Sequence, residues 1–202
     1  MEIHSVNPRI NRPFVKRWNP VYKRVEDDED EYKRILESVQ KELKATGSIS
    51  KETFTKIVDW KASRLLGNKG WIGRHLIEGH YQEYYARKIS AAKKTPDKEK
   101  IFALKAPGVD APVASTLLHF MYPLKFPIID VRTVEVLNHM GYINWSTRSM
   151  QNYWPFRKIM LDLSKQTGYS LPWWTRQCSP TTKRNSSFEK RIVLRNRKCL
   201  HS

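Results

Sequence analysis

A chain of 202 residues with 37 lysines and arginines against 20 acidic residues carries a formal net charge of +17, which points to a polyanion or an anionic surface as partner. Its hydrophobic content of 40%, with seven tryptophans, nine tyrosines and seven phenylalanines, excludes general disorder. The length suits one domain with a real core and room for a terminal appendage.

Nucleic acid is the favoured polyanion and no membrane partner is expected, because the sequence has no amphipathic anchor and no apolar run of about eighteen residues. The N-terminus has no apolar leader, so a cytoplasmic location is expected, nucleoid-associated when on DNA. Cys178 and Cys199 cannot make a zinc or iron–sulfur site alone.

Residues 1–25 read as a basic arm. Pro8, Pro13 and Pro20 interrupt it, while Phe14, Val15, Trp18 and Tyr22 offer apolar contacts. Packing over the core is favoured over a grip on DNA backbone, since aromatic-bearing arms tend to cover their own domain. The acidic block Glu26–Glu31 then precedes a helix with Ile35, Leu36, Val39 and Leu43 on one face. Negative charge at a helix start is favourable, which accounts for the block without a metal. Gly47 is placed to end that helix.

Ser50 caps a second helix running through Phe54, Ile57, Val58, Ala62 and Leu65-Leu66. Its spacing sets Trp60 and Arg64 on one face with Lys61 beside them, either as core plus surface or as a pocket edge. Gly67-Asn68-Lys69-Gly70-Trp71 follows, an ordinary turn or a wedge that fills the gap left by a flipped nucleotide. From Ile72 to Lys94 the pattern predicts one helix, with its tyrosines in the core. His75 and His80 are too unevenly spaced to share a helix face as a metal pair. Thr95-Pro96-Asp97 restarts a short helix.

That helix delivers the chain to Pro107-Gly108-Val109. Proline fixes φ and glycine accepts conformations that others avoid, so a tight turn is forced. Asp110 caps a next helix whose apolar positions are Val113, Ala114, Leu117, Leu118 and Met121. A helix, a turn and a second helix leave backbone amides pointing outwards, which suits a phosphate. Phe126-Pro127-Ile128-Ile129 leads to Asp130, which opens a helix from Val131 to Met140. A further helix from about Ser149 to Gln166 stops at Gly168, and Leu171-Pro-Trp173-Trp174 packs back or edges a cleft. Residues 178–202 form a basic tail with Lys183, Arg184, Lys190, Arg191, Arg195, Arg197 and Lys198. No repeats and no strand pairs appear, so an all-α fold is expected.

Pro107-Gly108-Val109, Ala114 and the downstream Asp130 resemble the helix-hairpin-helix superfamily of DNA glycosylases. The strong resemblance covers about forty residues, from Phe102 to Met140, with the helix-hairpin-helix element at about 97–121 and the domain at 26–177. It implies a compact helical domain with a cleft between helix groups, acting as a monomer on DNA. It further implies a backbone grip by the amides of Gly108, Val109, Asp110 and Ala111, and a catalytic Asp130 facing the cleft beside the apolar wall of 126–129. Arg132 would contact a phosphate or hold Asp130 ionised, with a surface salt bridge as the other account. Trp60, Lys61, Arg64, Asn68 and Trp71 are the pocket or wedge residues. A monovalent cation at the hairpin carbonyls is implied, and an iron–sulfur cluster is not.

Two departures shape the expected activity. Asp110 stands where the family has a second glycine, which puts a carboxylate near the phosphate site. Pro112 stands where bifunctional members have a lysine, so no Schiff base forms there. The expectation is a monofunctional glycosylase that leaves an abasic site. A non-catalytic DNA-binding module, with Asp130 only a cap, is one alternative. A lyase using another lysine, such as Lys105, is the other.

Overall fold

The structure, a computed structural model, describes residues 10–13, 15–16 and 29–177. Among them every named regular element is helical: α1 (Glu29–Ala45), α2 (Lys51–Ala62), α3 (Trp71–Ile77), a π-helical stretch (Tyr81–Ala86), α4 (Arg87–Lys94), α5 (Lys100–Ala103), α6 (Ala111–Met121), α7 (Val131–His139), α8 (Met150–Thr167) and α9 (Leu171–Gln177). The expected all-α fold class therefore holds for the described residues.

The organising element is α6. Pro112 aside, every residue from Ala111 to Met121 is buried. A helix apolar on most of its circumference belongs inside a bundle, and α1, α2 and α5 pack around this one. Tyr32 of α1 and Trp60 of α2 meet Phe120 at ring-centroid distances of 5.3 and 5.5 Å.

Helix α1 buries Tyr32, Ile35 and Val39, and Gly47 closes it at φ +72° with its amide on the Leu43 carbonyl. Ser50 caps α2, accepting from the Thr53 amide at 3.1 Å. Glu42 of α1 fixes that cap from outside, accepting from the Ser50 amide at 2.7 Å and the Thr53 hydroxyl at 2.6 Å. Partial burial raises the Glu42 pKa, but these donors outweigh it and hold the group below the ordinary carboxylate range.

Three sequence expectations change. Helix α2 ends at Ala62 and gives way to a single 3₁₀ turn at Ser63–Leu65, so Trp60 and Arg64 share no helix face; Trp60 is 4% exposed and Arg64 lies outside. The continuous helix expected over 72–94 breaks at Gly79, φ +84°, and resumes as the π-helical stretch. The extra residue keeps Tyr81 and Tyr85 facing inward, so the apolar pattern survives the break. Third, Thr95 does not cap the next helix. Its hydroxyl bonds back to the Ala91 carbonyl at 2.9 Å, and α5 starts only at Lys100. Lys100 instead turns its buried ammonium onto the end of α4, donating to the carbonyls of Ala92 at 2.9 Å and of Thr95. It occupies the place a C-terminal glycine cap would take.

Of the N-terminal arm, Ile10 and Val15 are buried, and the Ile10 amide donates to the Tyr142 hydroxyl at 3.0 Å. Phe14, Trp18 and Tyr22, the basic tail and both cysteines lie outside the described residues. At the other end Ser149 caps α8, Gly168 terminates it at φ +74°, and Leu171 is buried.

Candidate functional site

The hairpin is a one-turn helix, a tight turn and the core helix. The Val109 amide bonds the Ala106 carbonyl at 2.9 Å, with Pro107 and Gly108 between them and Gly108 at φ +75°. Proline at the first central position and a positive φ at the second are the marks of a type II turn. Val109 plugs the turn into the core at 4% exposure, and the Tyr85 hydroxyl donates to the Pro107 carbonyl at 3.1 Å. The turn also rests on α3: a Cβ on Gly108 would come within 2.8 Å of Ile72 Cγ1 and 3.2 Å of Trp71 Cβ.

Asp110 takes the N-cap position of α6 but makes no side-chain cap bond, contrary to its expected capping role, and its side chain is exposed. The first-turn amides of α6 have no side-chain cap from it. Of the four amides expected to grip a strand, that of Val109 is taken by the turn bond and that of Ala111 is covered with the rest of its residue, at 1% exposure. The hairpin carbonyls bear on the implied monovalent cation. Ala106 O holds the turn bond, Pro107 O the Tyr85 hydroxyl and Asp110 O the Ala114 amide.

From α6 the chain returns as an extended segment, 126–129, that lies wholly within the core. It is not the cleft wall expected from the sequence. A buried segment without helix or ladder must satisfy its backbone groups elsewhere. Three side chains meet that need. The Ile129 amide donates to Ser115 Oγ at 3.1 Å, the Tyr153 hydroxyl donates to the Pro127 carbonyl at 2.9 Å, and His119 Nδ1 lies 2.7 Å from the Phe126 carbonyl. A carbonyl only accepts, so His119 carries its proton on Nδ1 and its Nε2 accepts from the Tyr32 hydroxyl at 2.8 Å. Burial pushes the His119 pKa down to about 4, against the opposing effect of the Phe126 bond. Ser115 and His119, four apart on a mostly apolar helix, were the available sequence signal.

Asp130 is the product of this scaffold. Its Oδ1 accepts from the Thr133 amide at 3.0 Å and the Thr133 hydroxyl at 3.2 Å, which caps α7 as the sequence suggested. Its Oδ2 lies 3.5 Å from Lys61 Nζ. The side chains are 10% and 6% exposed, so this is a nearly buried ion pair joining the end of α2 to the start of α7. Val131, next in the chain, is 42% exposed, and Arg132 is half-buried.

Between Lys61 and the hairpin runs a rim, 61–73, that touches both. At its near end Lys61 meets Asp130; at its far end Trp71 and Ile72 meet Gly108. The Gly67–Gly70 turn between them exposes Asn68 and Lys69, and backbone contacts fix it. A Cβ on Gly70 would fall 2.2 Å from the Leu65 carbonyl oxygen, and one on Gly73 would fall 2.2 Å from that of Gly67. Trp71 is 59% exposed, with the Arg74 guanidinium 4.8 Å over its ring. Of the five pocket or wedge residues, Lys61 sits at the carboxylate and Trp71 at the hairpin. Asn68 and Arg64 are exposed on the rim, and Trp60 is in the core with its buried Nε1 lacking a hydrogen-bond partner.

Away from this rim, the break at Gly79 brings His75 and His80 to 6.1 Å between ring centroids, with Glu78 within 3.6 Å of one and 3.7 Å of the other. Sequence spacing had kept these histidines apart. Even so, no group of three or more His, Cys, Asp or Glu among the described residues could hold a metal ion. No described helix is long and apolar enough to cross a membrane. Comparison of the chain with protein-family models, curated proteins and solved structures finds no match.

Proposed function

We propose that the protein is a DNA N-glycosylase, which removes one nucleobase from a strand gripped at the hairpin and leaves an abasic site. The observation that carries this reading is the placement of Asp130. A carboxylate is held rigidly at a helix start by Thr133, keeps a tenth of its side chain exposed, and is linked by one short rim to the Pro-Gly turn. Cleavage of an N-glycosidic bond makes the sugar positive at C1′, so a fixed negative group beside it lowers the barrier and can orient water. Net charge supplies sequence-independent affinity for the strand, and the family resemblance of the hairpin and its following aspartate agrees with this role.

The test is base release from a panel of natural and modified DNAs, read by mass spectrometry. Asp130→Asn keeps an N-cap acceptor and removes the charge, so base release should be lost while DNA affinity is kept or raised. Unchanged release in that variant removes Asp130 from the chemistry. Bound DNA without base release by the native protein leaves the non-catalytic module.

One observation favours a second reading. An ammonium 3.5 Å from Asp130 largely cancels the charge that the hydrolytic role depends on. Lysine and carboxylate together can instead work as nucleophile and base. Asp130 takes a proton from Lys61, and Nζ bonds C1′ as the C1′–N bond breaks and the electron pair leaves with the base. A proton then passes from the nitrogen to that base. Opening of C1′–O4′, with a proton to O4′, gives an imine that water hydrolyses. Borohydride trapping of a protein–DNA adduct that disappears in Lys61→Met supports this version, and its absence returns the hydrolytic one. Lys105, the lysine named from sequence, is exposed on the hairpin.

A further inference from the structure

Trp71 is not explained by the fold. It is the first residue of α3, and 59% of its surface is exposed although a ring of that size ordinarily finds cover. The root of the side chain is fixed. Gly70 and Gly73 let the preceding turn and the helix touch backbone to backbone, and the Trp71 Cβ itself abuts the hairpin glycine. One helical turn on, Arg74 lays its guanidinium over the ring. A flat aromatic on a rigid base, backed by a cation, has already lost the conformational freedom that a stacking partner would otherwise have to remove.

We propose that Trp71, backed by Arg74 and seated on the hairpin turn, is a stacking platform for an unpaired nucleobase, so that the protein takes DNA in single-stranded or locally opened form. Duplex DNA hides its base faces in the helical stack, and only an unpaired base can lie on an indole. Charge agrees with a nucleic-acid occupant: Arg64, Lys69, Arg74 and Lys105 are exposed on the rim and the hairpin, in a chain of net charge +17. Asp110, exposed at the turn, weakens a grip made through phosphate alone and leaves more of the binding to base stacking. The inference rests on the DNA-binding half of the function proposed above and is independent of base removal.

The experiment measures the full chain by fluorescence anisotropy against a labelled oligothymidylate, the same oligomer in duplex, and an abasic oligomer of equal length. Stacking on one aromatic is worth enough that Trp71→Ala should weaken oligothymidylate binding by about tenfold. Duplex and abasic affinities should not move, and the salt dependence should keep its slope, because no phosphate contact is lost. Trp71→Phe should retain most of the affinity, and Arg74→Gln should lose a smaller part. Wild-type oligothymidylate affinity in Trp71→Ala, or equal losses on all three DNAs, overturns the proposal. So does a wild-type self-association that Trp71→Ala abolishes while DNA binding stays constant, since the ring would then cover a second copy. Tryptophan-dependent binding without base release refutes only the glycosylase. Failure to bind any of the DNAs refutes both.

Discussion

Replacing Asp130 and Lys61 singly and together asks whether they act as one unit. At 3.5 Å, and with an effective dielectric constant of about 20, the attraction between unit charges is about 5 kcal/mol. Much of that offsets the cost of drawing both groups out of water, to 10% and 6% exposure. Removing one partner takes this counter-charge from the other, nearly buried, side chain, so Asp130→Asn and Lys61→Met should each cost about 3–5 kcal/mol. Asp130→Asn should fall at the lower end, because an asparagine oxygen still caps α7 through the Thr133 amide. The double variant removes both charges and should be much less destabilised than the sum, with a coupling of about 2–3 kcal/mol. Urea unfolding followed by circular dichroism measures all four proteins, read from midpoints at constant slope. Additive losses would refute the claim that the two side chains share a water-poor site, and with it the closeness of Lys61 to the chemistry.

Other perturbations reach the supports of the site. Gly108→Ala places a Cβ on a backbone at φ +75° and 2.8 Å from Ile72 Cγ1. The left-handed conformation alone should cost about 1–2 kcal/mol, measured as a lowered urea midpoint, with DNA affinity reduced further. Ser115→Ala leaves the buried Ile129 amide without its acceptor. Stability should drop by about 1–3 kcal/mol, and base release should fall more than DNA binding as Asp130 loses its aim. His119 is held neutral, with its folded pKa near 4 below the usual value near 6.5, so the unfolded chain binds more protons between those values. Its contribution is intact above about pH 6.5 and is lost as pH falls towards 4, a decline of about 3 kcal/mol that pH-dependent urea midpoints would show. His119→Gln should flatten that decline. Lys100→Met strips the Ala92 and Thr95 carbonyls of their donor and should cost about 1–3 kcal/mol by the same assay.

Much of the fold was written locally. Caps such as Ser50 and Asp130, stops such as Gly47 and Gly168, and the Pro107-Gly108 turn each act over a few residues, so spacing along the chain was enough to find them. The apolar face of α6 was legible for the same reason, whereas the burial of Ser115, Thr116 and His119 on its other sides follows from the helices packed around it. Local chemistry also misled. Threonine before Pro96 looked like a cap until Lys100, five residues on, took the carbonyls, and the spacing of His75 and His80 lost its meaning once the helix broke at Gly79.

The site itself depends on pairs far apart in the chain. Lys61, named from the sequence as a pocket or wedge residue, is 69 residues from Asp130, and nothing along the chain paired the two. Tyr153 is 26 residues from the carbonyl it holds and Tyr32 is 87 from His119, and neither was distinguishable from an ordinary core tyrosine. A carboxylate's place in the sequence fixes what can cap the next helix. Its charge, its exposure and the cation opposite it are set by whichever helix packs there, because burial and Coulomb attraction follow distance in space and not distance along the chain.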